Sequence, residues 1–261
     1  MIERSVSRFL MVACSAFLFA SFMFSSLLLP AKAAANVTIV SHMGYKDFGN
    51  YYHVVGEVQN IGDVPVKNVY VSITLYDVHD VVVDSVDTEI LLEVLLVGRK
   101  APFMYTASEE NSAKISYYTV SIGSFESSSE KPLGLEILSH SPVVTGVVVR
   151  VMTVAGQIKN SGTLTANVVR VVATFYNGPS GTGNVVGVSF IVSVPVNLNP
   201  AQEGSFVIAQ DVTNREASFV SYVLTAESLE YAIVPEFPAS IISIIFMITT
   251  LIVAMTRKKG F

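Results

Sequence analysis

Gly56-Glu57-Val58-Gln59-Asn60-Ile61-Gly62 returns 100 positions later as Gly156-Gln157-Ile158-Lys159-Asn160-Ser161-Gly162. The likeness continues downstream without a gap: Val69, Val71, Thr74, Leu75 and Tyr76 are answered by Val169, Val171, Thr174, Phe175 and Tyr176. Upstream, Val40-Ser41-His42 is matched by Leu138-Ser139-His140. Further on, Leu96 to Phe103 is matched by Leu198 to Phe206, and Ile115-Ser116-Tyr117 by Val220-Ser221-Tyr222. A duplication of this length is one small module copied once. The polar run Ser127-Ser128-Ser129-Glu130-Lys131-Pro132 between the copies reads as a linker.

Each copy is β in pattern. In the first, strands are expected at about 37–41, 52–59, 66–76, 81–87, 89–96, 102–106 and 116–122. Alternation is clearest in the third, where Val69, Val71, Ile73 and Leu75 point one way and Tyr70, Ser72 and Thr74 the other. Val169, Val171, Ala173 and Phe175 should repeat the inward face, with Arg170, Val172 and Thr174 outward. About seven short strands of period two predict an all-β fold of two tandem antiparallel sandwiches. Asn60 and Gly62 read as turn residues, Asn tolerating a left-handed backbone and Gly supplying positive φ. Gly56 interrupts a strand, so a bulge or a close approach from the facing sheet is expected there.

The chain has 261 residues, 14% of them charged, and a mean hydropathy of +0.54, which calls for sequence that serves a membrane. That sequence sits at both ends. Arg4 and Arg8 precede an apolar run at 9–29, then Pro30 and the small residues Ala31, Ala33, Ala34 and Ala35. This is the plan of a secretory signal peptide over 1–33; an uncleaved signal anchor is the alternative, because the run is long enough to span. Residues 239–256 form an uncharged candidate transmembrane helix, followed by the basic tail 257–261 with Arg257, Lys258 and Lys259. The positive-inside rule leaves that tail cytoplasmic and both modules, 34–126 and 133–232, extracellular. Between Ala34 and Val234 there are 10 basic and 19 acidic residues, a balance that does not suit nucleic acid. The one cysteine, Cys14, lies in the leader, so the mature chain should hold no disulfide or thiolate metal site.

Two resemblances rest on these residues. Thr74-Leu75-Tyr76-Asp77 after a Gly-x-x-x-Asn turn is similar to the FxLYD family of small immunoglobulin-like extracytoplasmic domains, although Ile73 stands where that motif has Phe. The second copy reads Ala173-Thr174-Phe175-Tyr176-Asn177. The resemblance implies an immunoglobulin-like fold and brings no catalytic residues. Pro235-Glu236-Phe237-Pro238, then the apolar helix, then the basic tail, resembles the PEF-CTERM class of archaeal sorting signals. That likeness implies 233–238 as the sorting motif, an archaeosortase-like protease as a partner, and a lipid in place of the helix. The other reading is a proline-stiffened stalk before a plain anchor.

Candidate sites are sparse. Asn36-Val37-Thr38 is a glycosylation sequon at Asn36. Asp77, Asp80, Asp84 and Asp87 gather on one hairpin, where oxygen ligands could take calcium; the alternative is a solvated turn whose charges blunt an edge strand. His42, His53, His79 and His140 show no paired spacing, and no motif for a nucleophile or zinc appears. Several Tyr residues of the first copy could meet a sugar or a protein. No cofactor is expected. The function expected is non-catalytic: a membrane- or lipid-anchored cell-surface protein used for adhesion, spacing or binding of an envelope protein or glycan. The alternatives are an accessory extracytoplasmic subunit of a transport or pilus-like complex, and a hydrolase working through carboxylates.

Overall fold

A computed structural model describes residues 34–234, which form an almost all-β body. In chain order the elements of the first copy are β1 (Val37–Lys46), β2 (Tyr52–Asn60), β3 (Val66–Tyr76), β4 (Val82–Glu89), β5 (Val94–Leu95), β6 (Lys100–Thr106), α1 (Glu109–Lys114) and β7 (Tyr117–Ser127). The second holds β8 (Leu133–Thr145), β9 (Val151–Asn160), β10 (Arg170–Tyr176), β11 (Val185–Val192), β12 (Glu203–Asp211), β13 (Ser221–Glu227) and β14 (Ala232–Ile233). Strand β3 has the bounds its alternation predicts. The expected strand at 89–96 shrinks to the two residues of β5. Helix α1 was not expected; Ser108 caps it by accepting from the Asn111 N–H, Glu109 and Glu110 sit in its first turn, and Lys114 closes its last.

In the first copy β1-β2-β6 form one antiparallel sheet, and β3 gathers β4, β5 and β7 into another. Val54 and Val58 of the first sheet and Val69, Val71, Ile73 and Leu75 of the second enclose one core, all fully buried. The second copy repeats the pairs β8-β9-β12 and β11-β10-β13, and β14 joins them into one seven-stranded sheet. It does so by pairing antiparallel with β13 and parallel with β8. A separate core there holds Val154, Ile158, Val169, Val171, Ala173 and Phe175. Even the defects are copied. A register shift between Ile39 and Ser41 sets His42 opposite Gly56, and one between Ile137 and Ser139 sets His140 opposite Gly156.

Gly56 faces Phe103 on the neighbouring strand of its own sheet, not a residue of the facing sheet. A Cβ there would overlap the Phe103 ring and the Ser41 carbonyl, and one on Gly156 would overlap the Phe206 ring and the Ser139 carbonyl. The close approach is therefore a ring laid over a bare backbone beside a bulge. Asn60 and Asn160 also play a different part from the turn role expected of them. Neither they nor Gly62 and Gly162 have positive φ. Each Asn is fully buried and is a polar plug: Asn60 Nδ2 donates to the carbonyls of Val64 and Leu95, and its Oδ1 accepts from Gly62 N–H. Asn160 does the same with Leu164, Leu198 and Gly162. A buried amide with its groups satisfied ties the β2–β3 turn to the strand across from it.

The two copies are not beads on a string. Residues 35–234 belong to one compact unit. A third apolar cluster of Val55, Val172, Tyr176, Val185 and Val188, with Met43, Tyr45, Leu91 and Met104 against it, lies between the cores. The outward face of β10 is thus covered: Val172, Thr174 and Tyr176 are buried, contrary to the solvent-facing role that alternation suggests. Strand β2 is buried on both faces for the same reason. Burying five such side chains contributes on the order of 10 kcal/mol before ordering costs, enough to hold the copies in one orientation. Run 127–132 is correspondingly not a free linker. Ser127 still belongs to β7, Ser128 N–H bonds the Pro65 carbonyl, Lys131 is buried, and the Pro132 carbonyl accepts from Ala232.

Among the described residues no helix is long and apolar enough to cross a membrane. Residues 1–33 and 235–261, on which the expected leader, sorting motif and helix fall, lie outside the described residues.

Candidate functional site

The chemistry-bearing groups that the fold brings together lie between the two copies. Tyr176 Oη donates to Glu57 Oε1 at 2.5 Å. Glu57 is buried, and among the described residues its Oε2 accepts no hydrogen bond; the Lys100 ammonium, 3.0 Å away, compensates it as an ion pair. Burial first, and the Glu57 charge second, raise the Tyr176 pKa above the usual phenol range. Lys131 forms a second lock, with its Nζ 2.7 Å from Glu227 Oε1 and 2.9 Å from Glu93 Oε2. Glu227 also accepts from the Glu93 and Val94 N–H groups at 2.6 and 3.1 Å. Burial pushes its carboxyl pKa up, against the opposing pull of Lys131 and those amides. Arg215 caps the other end of the contact, its guanidinium 3.4 Å from the centre of the Tyr45 ring. Ser41 Oγ accepts from Val185 N–H across the same boundary.

The four aspartates proposed for calcium are not brought together. Asp77 Oδ1 caps its own turn by accepting from His79 and Val81 N–H, which lowers its pKa, the Val81 bond first. Asp80 accepts from Tyr117 Oη, and Asp87 from Ser72 Oγ at 2.6 Å. Asp84 accepts from Tyr105 Oη and Asn111 Nδ2, and the Tyr105 bond is the main cause of its lowered pKa. Among the described residues no group of three or more His, Cys, Asp or Glu is placed to hold a metal ion. Asn36 is exposed, and its carbonyl accepts from Ile61 and Gly62 N–H. The motif Pro235 to Pro238 lies outside the described residues.

His42 and His140 hold equivalent places: His42 Nδ1 lies 2.9 Å from Tyr118 Oη, and His140 Nδ1 lies 2.7 Å from Tyr222 Oη. Tyr222 pairs with Phe175 as Tyr118 pairs with Leu75, so it matches Tyr118 and not Tyr117 as the sequence alignment has it. The slip matters because one residue along a strand exchanges its faces.

One arrangement was not foreseen. His53 stands between Asp47, 3.0 Å from Nε2, and Thr106, 2.9 Å from Nδ1. Its ring stacks on Tyr45 at 5.0 Å between centroids, and Tyr45 in turn carries Arg215. The relay therefore anchors the β1–β2 turn to the second copy. Nothing in the spacing 47, 53 and 106 could reveal it, because β6 reaches β2 only through the sheet.

A cleft between the copies completes the picture. Leu92, Val94, Leu96, Arg99 and Lys100 form one wall, and Ala226, Glu227, Ala232 and Ile233 the other, around a cavity of about 30 Å³. No family model matches this chain, and no curated protein matches its sequence.

Proposed function

We propose that the chain is a non-catalytic cell-surface protein made of two tandem immunoglobulin-like sandwiches. It is held outside the membrane by the helix at 239–256 or by a lipid that replaces it after processing at Pro235-Glu236-Phe237-Pro238. Its role is that of an adhesion, spacer or binding module of the cell envelope. The observation that carries this reading is the lock between the copies, where Val55, Val172, Tyr176, Val185 and Val188 join two cores into one stiff body. A stiff body holds its exposed edges and turns at a set distance from an anchor, which a flexible pair would not. Contact chemistry is available at those turns, where Phe48, Tyr51 and Val147 are exposed.

Intact mass of the membrane-extracted protein, with protease shaving of whole cells, tests the reading. It expects loss of 1–33, loss or lipid replacement of the C-terminal helix, and digestion of 34–234 from outside. A protected, unprocessed chain refutes it. If crosslinking in intact membranes gives one stoichiometric membrane partner, the accessory-subunit reading replaces it. A hydrolytic reading has one observation in its favour, the alignment of Thr106, His53 and Asp47. Labelling of Thr106 by an acylating probe, abolished by Thr106→Ala, would establish it.

A further inference from the structure

Lys131 is a buried lysine whose ammonium meets two carboxylates. Glu227 Oε1 lies 2.7 Å from Nζ and Glu93 Oε2 2.9 Å. The two acids differ: Glu227 is buried, whereas Glu93 is exposed. Glu227 is also held by the backbone, with Oε2 accepting from Glu93 N–H at 2.6 Å and Oε1 from Val94 N–H at 3.1 Å. Leu92, Val94, Ala226 and Ala232 lie beside it. The Lys100–Glu57 pair shows how much of this goes beyond an ion pair. There Lys100 is exposed, and the far oxygen of Glu57 is held by the Tyr176 phenol instead of by backbone amides.

An amine against a carboxyl group, N–H donors on the carboxyl oxygens and a second acid on the amine are the parts of an amide-forming site. We propose that Lys131 Nζ and Glu227 Cδ condense to an intramolecular isopeptide bond, with Glu93 as the proton carrier. Glu93 Oε2 takes one proton from the ammonium, and the freed amine attacks Cδ. The charge that develops on Glu227 Oε2 is met by the Glu93 N–H. The bond from Cδ to Oε1 then breaks, and that oxygen leaves as water with one proton from the nitrogen and the one Glu93 carried. Ammonium and carboxylate thus become amide and water, with no oxidant and no net proton. Between free solutes this condensation is unfavourable; here each group faces the other at an effective concentration of roughly 10⁵ M or more, which reverses the balance. Burial acts the same way, because separate charges are costly out of water. It already raises the Glu227 pKa toward the protonated acid.

The bond would join positions 96 apart. Lys131 lies where the chain enters the second copy, and Glu227 ends β13, just before the exit strand β14. A pull between the first copy and the chain beyond β14 would pass through the bond and leave β8 to β13 unloaded. This use rests on the anchored-surface reading, whereas the bond does not.

The test is mass spectrometry of the full chain, purified folded and then denatured. The parent is expected to be about 18 Da lighter, by one water, than the sequence between its observed ends, and digestion should give residues 131 and 227 in one branched peptide. Lys131→Arg keeps the cation and should restore the full mass. Glu93→Gln changes an exposed side chain and leaves the core intact, and the bond should form about a hundredfold more slowly in freshly made protein. A parent of full mass that unfolds cooperatively, and so was folded, overturns the proposal. A mass deficit that persists in Lys131→Arg, or a bond formed at the parent rate in Glu93→Gln, does so too. Location is read separately by the shaving experiment: a crosslinked chain protected from protease would sink the surface reading and leave the bond standing.

Discussion

Tyr176 donates its hydroxyl to Glu57 across the boundary between the copies, at 2.5 Å and out of solvent. The repeat equivalents of this pair, Tyr76 in the first copy and Gln157 in the second, are 81 positions apart in sequence; Tyr76 stacks on Tyr117 and Gln157 is exposed, so the repeat does not propagate this contact. Ser72 and Ser85 likewise stand where Val172 and Val188 enter the joining cluster. The uncovered face of the first copy is thus polar at two positions where the covered face of the second is apolar.

Tyr176→Phe leaves the Glu57 carboxylate short of its hydrogen bond and should cost about 2 kcal/mol in urea unfolding at neutral pH. The alkaline limb gives an independent check. The folded pKa of Tyr176 is raised, so its contribution is complete below the unfolded value of about 10 and is lost as pH rises beyond it. Tyr105 and Tyr118, both pushed up to about 12, act in the same direction. Stability should therefore fall above about pH 10, and less steeply in Tyr176→Phe than in the parent.

Removing the plug of either core should be severe. Asn60→Ala and Asn160→Ala each strand two buried carbonyls and one N–H, at a cost of about 3 kcal/mol or more. The sites lie in separate cores, so the double variant should lose the sum if it folds at all; chemical denaturation of the three variants measures this.

Lys131→Ala leaves Glu227 buried without its counter-charge and should destabilise the protein by about 3 kcal/mol or more. Hydrogen exchange distinguishes loss of this lock from general weakening. The Glu93 and Val94 amides, which Glu227 accepts, should lose protection ahead of those in β9.

Val168 has φ of 53°, a left-handed backbone on a β-branched residue, while its counterpart Asn68 has φ of 50°. Val168→Asn places a tolerant residue there and should raise stability by about 1 kcal/mol, read as an upward shift in thermal midpoint. Asn68→Val should lower it by a similar amount.

The repeat of Gly56 and Asn60 at Gly156 and Asn160, and the alternation from Val69 to Leu75, determine by themselves that the chain is β, duplicated, and buried on the faces named. Those signals are local: a period of two records which side of a strand avoids water. They cannot record that Val172 and Tyr176 avoid it too, because the surface covering them is the other copy. Only the tertiary structure decides that Lys131 is a lock and not a linker residue, that Asn60 is a plug and not a turn former, and that Thr106 reaches His53. Each of these depends on groups brought together through a sheet or across the boundary between copies, at separations on which the spacing along the chain puts no constraint.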